Sequence, residues 1–445
     1  MLTESIHMLS EKYQKRYGKS RYEFFKQEKL PVYSKNITYK NNKRYYFKRN
    51  SFWYKLIMLF FSIQRMLPEN PYIFHSLAPT VRGLNSNKII IRIKNSLFEF
   101  FPKGNYLRLI AGEDFYLSKA CIDVRYISIY IVADLNNIGQ IYGSFGWTLS
   151  LLDSGHLLEH IKQISQIYNI INEVIFFPQK ELKSYSNNFQ RRDLFAIAKI
   201  SFTTENQVQK AQIKRDNSVV IEKMDIAKDS TGVFEEVLSY FDNSEEMKLN
   251  SYFTKSEEFT INQIYNRTSD NSYQGLSFFP YFISNSNIMK LARMLKKLIR
   301  LAFSSIEIFV LVKGVDRKNK KLIINKNSIT TENCALNFNS VIHDSFEYVN
   351  TCDASIVIWT SLNKKVFTKL EMNECAKDII DSARFIHCAS LFLTKLGLAT
   401  RPMKNINEEY FENFVSKGHN LAIYMLVAGK SMNEQLVVPI QSWSI

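Results

Sequence analysis

The sequence lacks the short motifs that mark the most common nucleotide, metal and hydrolase sites. It contains no GxxxxGK[ST] phosphate loop, no GxGxxG turn, no HExxH pair, no GxSxG and no Cys/His spacing suited to zinc. These absences argue against a P-loop, a zinc centre and an α/β-hydrolase serine. We therefore expect no metal site.

Long hydrophobic runs and paired cysteines are also missing. The most apolar segment, 52–67, is interrupted by Lys55 and Arg65 and is shorter than the roughly 20 apolar residues that a membrane span needs. We interpret it as a buried or partner-binding helix, with an interfacial helix as the less favoured alternative.

The five cysteines form no CxxC pair and are odd in number, which is typical of reduced thiols. No apolar core follows the first nine residues, so we expect no signal peptide, no membrane contact and a cytoplasmic protein.

Acidic residues are scarce at the start of the chain. The first fifty residues carry 13 Lys and Arg against four Glu and no Asp, with seven tyrosines between them. Such a segment can bind a nucleic-acid strand or an acidic peptide, and a solvated arm is the third alternative. Because no RNA- or DNA-binding signature accompanies the charge, nucleic acid is the least favoured partner. The net charge of the whole chain, +16, fits a polyanionic partner of either kind.

The sequence contains an internal repeat of a 20-residue segment. LLDSGHLLEHIKQISQIYNI aligns without a gap with IIDSARFIHCASLFLTKLGL when Asp153 is placed on Asp381, an offset of 228 residues (381 − 153). The pattern predicts a long amphipathic helix after a Gly-Ser-Phe-Gly turn at 143–146, and a second long helix over 371–396 that ends at Gly397. The alternative is chance, because two apolar helices of similar length match at several positions in many proteins.

Strand-like segments precede each of these helices. In the first half they are hairpin segments after Lys88 and a β-branched run at 126–134. In the second half they are 306–315 and 354–361, after a basic amphipathic helix at 287–302. The fold class that this order predicts is α+β, with one kind of unit present twice.

The helix segment of the first half carries a family resemblance. YGSFGWTLSLLDSGH, Tyr142 to His156, resembles the KYGxRGYRYxLLExGHxxQN segment of the SagB/ThcOx-type dehydrogenases, which belong to the nitroreductase-like flavin superfamily. LFEFFPKGNYLRLIAGED at 97–114 looks like that family's Y-x-Y-x-P-x-x-H-x-L-x-x-L segment, and 6–13 is similar to its opening FHxxSKY. Those enzymes use flavin mononucleotide (FMN) to oxidise thiazolines or oxazolines in ribosomally made peptides to thiazoles or oxazoles. The resemblance implies that Tyr142 is the catalytic base.

The second half resembles the wider nitroreductase pattern. Arg267, Ser269 and Asn271 follow the opening RxSxRxF, whose Arg and Ser hold the flavin phosphate, and LGLATRP at 396–402 follows the LGLGTxP turn. The resemblance implies two tandem nitroreductase-like modules, each a mainly antiparallel sheet flanked by helices. Lys430 is the substitute for the usual C-terminal arginine. The cofactor-binding residues that the resemblance implies are Arg267, Ser269, Asn271, Leu398, Ala399, Thr400 and Lys430.

The chain departs from the family's pattern at several positions. Ile141 stands where the family has the lysine of its Lys-Tyr pair, Phe145 stands where it has an arginine, and Asn271 replaces the second phosphate-motif arginine. The SPSGGxxxP flavin loop corresponds to APTVRGL at 78–84, which has one glycine. A phenol beside isoleucine is harder to ionise than one beside lysine. The first module therefore resembles a degenerate copy.

Together these patterns predict four regions and a function. The regions are a basic arm and helix at 1–70, a degenerate nitroreductase-like module at 71–190, a connecting region at 191–255 and a second module at 256–445. The implied function is FMN-dependent azoline oxidation in a ribosomally made peptide. The alternatives are a flavin-less scaffold of a peptide-modifying synthetase complex, or another flavin-dependent two-electron reaction on a modified peptide.

The resemblance also implies partners. The basic arm would contact the precursor peptide, and a cyclodehydratase or another peptide-modifying enzyme would join the same complex. Because nitroreductase-like enzymes bind flavin between subunits, two fused modules would form an intramolecular pseudo-dimer, or whole chains would form a homodimer.

Overall fold

The structure of the protein is a computed structural model. Contacts divide the chain into two compact units. Described residues between 28 and 64 and between 76 and 253 form the N-terminal unit, and those between 65 and 75 and from 254 onward form the C-terminal unit. The residues that the structure describes are 39–40, 43–47, 51–66, 74–80, 86–102, 104–112, 122–123, 127–143, 145–186, 189, 194–203, 210–211, 213–216, 247–249, 259–267, 278–301, 306–342, 351–367, 370–431 and 438–439.

The N-terminal unit is built on an antiparallel sheet of nine described strands. With strands numbered in chain order through both units, those of this unit are β1 (Arg44–Phe47), β4 (Asn87–Ile93), β5 (Ser96–Phe101), β6 (Tyr106–Ala111), β7 (Ile122–Asp123), β8 (Ile127–Asp134), β9 (Ile171–Phe176), β10 (Leu194–Thr203), β11 (Lys210–Ala211), β12 (Ile213–Asp216) and β13 (Met247–Leu249). The order across the sheet is β12-β1-β6-β5-β4-β8-β10-β9-β13, and β7 pairs with β11 in a separate ribbon. The described helices of the unit are Phe52–Phe61, Leu135–Tyr142, Phe145–Ile167 and Gln179–Tyr185.

The predicted hairpins and buried strand of the first half are confirmed. β4, β5 and β6 are consecutive antiparallel neighbours, joined by turns with left-handed backbone at Lys94 and Asn105. All eight residues of β8 are buried. The sequence pattern missed β10, which lies inside the segment expected to connect the modules. It pairs with β8 on one side and with β9 on the other, so it is a central strand of the sheet.

The helix Phe145–Ile167 follows the glycine turn as predicted, but it is buried on nearly every face rather than amphipathic. Its Trp147 packs edge-on against Phe195 of β10, with ring centroids 4.9 Å apart. Polar residues on the helix find partners inside the protein. The Gln163 side-chain amide, for example, donates to Glu159 Oε1 at 2.8 Å. Burial of a polar helix face is tolerated when its groups are hydrogen-bonded in this way.

The segment 52–67 contains a buried helix, as interpreted from its composition. The helix Phe52–Phe61 buries most of its side chains, and Nε2 of His160 lies 2.8 Å from the Leu59 carbonyl oxygen, which joins this helix to the long one. Within the described parts of the chain, no helix is both long enough and apolar enough to cross a membrane.

The C-terminal unit contains a second antiparallel sheet, of seven described strands. The strands of this unit are β2 (Arg65–Met66), β3 (Phe74–His75), β14 (Phe278–Phe279), β15 (Ile306–Lys313), β16 (Asn319–Ile324), β17 (Ile329–Cys334), β18 (Ile356–Asn363), β19 (Ala399–Met403), β20 (Asn420–Ser431) and β21 (Val438–Pro439). The sheet order is β14-β20-β18-β15-β16-β17 with β19 paired to β20, while β21-β2-β3 form a small sheet. The described helical segments are Ile261–Asn266, Asn285–Leu301, Asn339–Val341, Lys364–Phe367, Met372–Lys395 and Glu408–Tyr410, the last continuing into a π-helical turn at Phe411–Val415.

The second long helix is confirmed at Met372–Lys395. It begins with a capping box between Glu371 and Glu374, which satisfies backbone donors at the helix start. Gly397 follows the helix end with a φ of 72°, the left-handed conformation that favours glycine after a helix.

The two long helices confirm the internal repeat. Shifted by the 228-residue offset, the helix Phe145–Ile167 would cover 373–395, which is one residue from the observed bounds Met372–Lys395. Both helices pack against the antiparallel sheet of their own unit. The predicted α+β class with tandem units is therefore confirmed. The residue bounds of the four predicted regions stay a prediction, and the part of the basic arm up to residue 38 lies outside the described residues.

The repeated aspartates occupy the same helix position but have different partners. Asp153 accepts a hydrogen bond from Ser86 Oγ at 2.7 Å. The Asp381 carboxylate lies 2.5 Å from Lys377 Nζ and 2.6 Å from Arg384 Nη1. The repeat therefore preserves the backbone and the buried carboxylate, while the interactions around the carboxylate differ.

Candidate functional site

Tyr142 is the last residue of a short helix that is capped at its start. Asp134 Oδ1 accepts from the Asn137 backbone N–H at 3.1 Å, which fixes the beginning of the helix Leu135–Tyr142. The other oxygen of this carboxylate lies 3.4 Å from Lys88 Nζ. The side chain of Tyr142 is 6% exposed and its hydroxyl oxygen is shielded from solvent. A buried strand end and its capped helix thus hold the predicted base inside the N-terminal unit.

Two glycines form the junction between this helix and the long one. Gly143 has a φ of 56°, and a Cβ built on it would meet no atom within 4 Å, so it borders open space beside Tyr142. Gly146 lies against Ile138, and a Cβ there would come within 2.9 Å of the isoleucine Cγ2. The close approach of the two helices therefore depends on a residue without a side chain at 146.

Arg267 ends the short helix Ile261–Asn266. The helix starts with a capping box between Thr260 and Gln263, and Arg267 is its C-cap residue. The Arg267 side chain is 4% exposed, so its guanidinium is buried. Ser269 and Asn271, the other two residues of the predicted phosphate motif, lie outside the described residues.

A second buried arginine lies beside Arg267. Arg65 Nη1 donates to the Tyr265 carbonyl oxygen at 3.2 Å and also to the carbonyl oxygen of Arg267. Burial and the positive charge of Arg65 both lower the pKa of the Arg267 guanidinium, and Tyr424 opposes this shift. Two like charges in one buried region make an environment that favours an anion.

The predicted turn at Leu398, Ala399 and Thr400 is buried and ordered by the helix that precedes it. The Leu398 backbone N–H donates to the Leu393 carbonyl at 3.2 Å, and the Thr400 hydroxyl lies 2.5 Å from that of Ser390. Ala399 pairs with Gly429 of β20. The turn is therefore fixed between the long helix and the strand that carries Lys430.

Lys430 is brought next to this turn. Its exposed ammonium lies 3.9 Å from the position that a Cβ on Gly397 would occupy. Lys430 shares β20 with Tyr424, the residue that interacts electrostatically with Arg267. Within the C-terminal unit, Lys430 lies beside the 398–400 turn, and Arg65 contacts the carbonyl oxygen of Arg267. Tyr142 belongs to the N-terminal unit.

Two neighbours of the site escaped the sequence-based prediction. Arg65 had one signal, because it interrupts an otherwise apolar segment, and it proves to be a buried partner of Arg267. Phe279 had none. It lies directly opposite Lys430 across the β14–β20 pair and is 49% exposed, so an aromatic ring borders the predicted cation.

The residues of the C-terminal unit fit the phosphate end of FMN. A phosphate monoester is a dianion with several acceptor oxygens, and guanidinium forks pair with it through charge-assisted hydrogen bonds. Arg267 would supply such a buried guanidinium, and Lys430 an ammonium beside a turn that follows a glycine with left-handed backbone. In the described portion of the chain, no group of three or more His, Cys, Asp or Glu side chains could hold a metal ion.

Comparisons with known proteins identify the fold. No family model matches the sequence, and no match was found among curated proteins. A provisionally named nitroreductase from Anabaena variabilis is similar over 95% of this chain and 99% of its own, with a TM-score of 0.63 and 13% sequence identity. The chain therefore has the fold that the sequence predicted: tandem nitroreductase-like domains, each an antiparallel sheet flanked by helices.

Other solved structures match part of the chain. The E. coli microcin synthetase complex McbBCD, with truncated pro-MccB17 bound, matches over 44% of this chain and 81% of its own at 13% identity and a TM-score of 0.28. A nitroreductase family protein from Clostridium novyi matches over 39% and 84% at 15% identity, with the same TM-score. Similarity at this level carries no argument about activity.

Proposed function

We propose that the protein is an FMN-dependent oxidoreductase that oxidises thiazolines or oxazolines to thiazoles or oxazoles in a ribosomally made peptide. The observation that carries the proposal is the buried motif arginine Arg267, in a chain with a nitroreductase fold. The choice of an azoline substrate rests on the resemblance of the Tyr142 to His156 segment to the SagB/ThcOx-type dehydrogenases.

In this proposal the C-terminal unit binds the cofactor. Arg267 pairs with the phosphate, and the Leu398 to Thr400 turn, Lys430 and the motif residues Ser269 and Asn271 complete the site. Bound FMN supplies the two-electron acceptor that none of the twenty side chains provides. The buried setting of Arg267 strengthens its pairing with an anion, because few waters compete for the guanidinium.

Tyr142 would handle the proton in the same proposal. Aromatisation of an azoline removes one proton from a ring carbon together with a hydride equivalent, and a positioned phenolate can accept that proton at its hydroxyl oxygen. The buried position of Tyr142 keeps bulk water away from the reacting carbon. The open space at Gly143 leaves room for a substrate ring beside the tyrosine.

The partners follow from this function. The precursor peptide would be bound by the basic N-terminal arm, and a cyclodehydratase would deliver the azoline that this protein consumes. The two modules would act as an intramolecular pseudo-dimer or as a dimer of whole chains, in the cytoplasm.

The absorption spectrum of the purified full-length protein tests the cofactor. We expect a flavin band near about 450 nm, either as purified or after FMN is added and excess removed. A protein that shows no such band after reconstitution is not a flavoenzyme. The second candidate function is a flavin-less scaffold of a synthetase complex, and the shielding of the Tyr142 hydroxyl from solvent favours it. Copurification with a cyclodehydratase but without flavin would support this scaffold function.

Substitution of Tyr142 tests the proposed base. The Tyr142→Phe variant should retain the ring packing and the flavin spectrum but lose at least about 100-fold in turnover of a thiazoline peptide, the usual scale for a general base. Turnover is measured by mass spectrometry as the loss of two hydrogen atoms. Tyr130→Phe is the matched control, because it removes another buried hydroxyl of the same unit, one that donates to Glu181. Equal turnover in Tyr142→Phe and Tyr130→Phe would remove Tyr142 from the mechanism.

A further inference from the structure

The helix Asn285–Leu301 carries exposed basic side chains along one side. Lys290, Arg293, Lys297 and Arg300 are all exposed, while the apolar side of the helix is buried against strands β15 and β16. At about 100° per residue, these positions fall within an arc of about 80°, and the rise from the first to the last is about 15 Å. These four residues form a continuous surface feature, which is named the basic stripe.

The helix does not neutralise the charge of the basic stripe. Its sequence, NSNIMKLARMLKKLIRL, contains five Lys and Arg and no Asp or Glu. Successive residues of the stripe are three or four positions apart, a spacing at which like charges destabilise a helix. Arg300 Nε and Lys296 Nζ donate to the backbone carbonyl oxygens of Lys326 and Asn327 at 3.1 and 2.7 Å, but these oxygens carry no net charge. An anionic partner would therefore replace repulsion by attraction.

An exposed aromatic loop leads into the same helix. Phe279, Tyr281 and Phe282 are 49%, 39% and 38% exposed. The loop is anchored before them by the β14–β20 pairing and after them by the Ile283 backbone N–H, which donates to a β15 carbonyl oxygen at 2.9 Å. Three exposed aromatic residues within four positions indicate a contact surface, since aromatic residues are enriched in protein interfaces. Because both ends are fixed, the loop loses little conformational freedom on binding.

The aromatic loop connects the basic stripe to the proposed cofactor site. Phe279 lies opposite Lys430 across the β14–β20 pair, and the chain then runs into the helix that carries the stripe. An acidic peptide fits this combination, because its carboxylates can pair with the stripe while its apolar side chains pack on the aromatic rings. A lipid surface fits less well, because an interfacial helix inserts its apolar face and that face is buried here.

We propose that the basic stripe and the aromatic loop bind an acidic segment of a peptide, with its carboxylates on the stripe and its apolar side chains on the loop. The identification of this peptide as the precursor whose azolines are oxidised rests on the proposed function. The surface adds a contact on the C-terminal unit to the one proposed for the basic arm. It would hold the peptide beside the proposed cofactor site and so raise the effective concentration of the ring to be oxidised.

Fluorescence anisotropy of a labelled synthetic peptide tests the stripe on the full-length protein. The probe has Glu at every third or fourth position, with Leu and Phe between them. We expect saturable binding that weakens as salt rises, and a loss of about 10-fold or more in affinity in the variant Lys290→Glu with Lys297→Glu. Lys180→Glu with Lys365→Glu is the matched control, because it changes the net charge equally at exposed lysines on other helices. Its affinity should stay within about twofold of the wild type.

A second pair of substitutions tests the loop. Tyr281→Ser with Phe282→Ser should weaken binding of the same peptide by about fivefold or more, because the apolar contacts are lost. A probe in which Ser replaces every Leu and Phe is the control, and its affinity should be the same for this variant and the wild type. Equal affinity of the original probe for both proteins would remove the loop from the binding surface and overturn the proposal in its stated form.

The remaining outcomes separate the binding surface from the proposed function. Absence of peptide binding by the wild type, or equal affinity in the wild type and a folded stripe variant, overturns the proposal. If Lys290→Glu with Lys297→Glu does not fold, as judged by circular dichroism, Lys290→Gln with Lys297→Gln replaces it under the same criterion. Tighter, stripe-dependent binding of single-stranded DNA or of phosphatidylserine vesicles also overturns it. Flavin absorbance of the same samples is independent: a protein that binds the peptide without flavin retains the surface and loses the proposed function.

Discussion

Asp381→Ala is expected to lower the free energy of unfolding of the C-terminal unit by about 3–5 kcal/mol. The Asp381 carboxylate is fully buried between Lys377 Nζ at 2.5 Å and Arg384 Nη1 at 2.6 Å, on one face of the long helix. Removing it leaves two buried cations without their shared counter-charge. Amide hydrogen exchange of the helix Met372–Lys395 measures the effect locally, which is needed because a two-unit protein need not unfold in one step.

Glu412→Ala is the matched control for this substitution. Glu412 Oε2 lies 2.6 Å from Lys364 Nζ, a distance close to those around Asp381, but the two side chains are 27% and 38% exposed. Solvent screening should limit the loss to below about 1 kcal/mol. Similar losses in Asp381→Ala and Glu412→Ala would contradict the view that burial makes the Asp381 cluster important.

The effect of Asp381 should also depend on pH. Burial tends to raise the pKa of its carboxyl, but the charges and hydrogen bonds of Lys377 and Arg384 outweigh burial and hold the pKa below its usual value. A carboxyl with a depressed folded pKa contributes stability above its unfolded pKa and loses that contribution as the pH falls through the folded value. The difference in opening free energy between wild type and Asp381→Ala should therefore be largest near neutral pH and shrink in acid.

Arg267→Met is expected to weaken FMN binding by about 100-fold, the largest effect on the cofactor that we predict. A charge-assisted hydrogen bond contributes about 1.5–3 kcal/mol, and a guanidinium can make two to one phosphate. The burial of Arg267 adds to the effect because water replaces the lost contact poorly. Quenching of FMN fluorescence during titration of the full-length protein measures the change.

Arg293→Met is the control for Arg267. Arg293 is exposed on the helix Asn285–Leu301 of the same unit, so its removal changes the net charge equally without touching the buried pair. FMN affinity should stay within about twofold of the wild type. If Arg293→Met and Arg267→Met weaken FMN binding equally, the site depends on overall charge and not on the motif arginine.

Much of the fold could be predicted from local patterns, because helices and hairpins depend on short-range periodicity and turns. The long helix Met372–Lys395 was predicted to within a residue at each end, since its apolar residues recur at helical spacing and a glycine follows its end. The helix Leu135–Tyr142 was missed, although it carries Tyr142. The sequence indicates the start of this helix only by the N-cap residue Asp134, which follows an apolar strand. A helix of eight residues has too few turns to show a clear hydrophobic period.

The amphipathic interpretation of the helix Phe145–Ile167 was wrong for a different reason. Glu159, His160 and Lys162 are polar by composition, so the pattern placed them toward solvent, yet the fold buries all three. A sequence shows which side chains are polar, but it does not show whether another part of the protein will supply hydrogen-bond partners that allow them to be buried. β10 was missed in the same way. Its central position in the sheet comes from its pairing with β8 and β9, and its own residues do not indicate that pairing.

The sequence by itself indicated the two long helices through local periodicity, the tandem α+β architecture through the internal repeat, and Arg267 as a candidate phosphate ligand through its resemblance to the RxSxRxF motif. Tertiary structure alone decided what surrounds that arginine. Arg65 precedes Arg267 by 202 residues, and its Nη1 reaches the Arg267 carbonyl oxygen only because strand β2 pairs within the C-terminal unit. Contacts over such separations depend on closure of the whole fold, which no local pattern encodes.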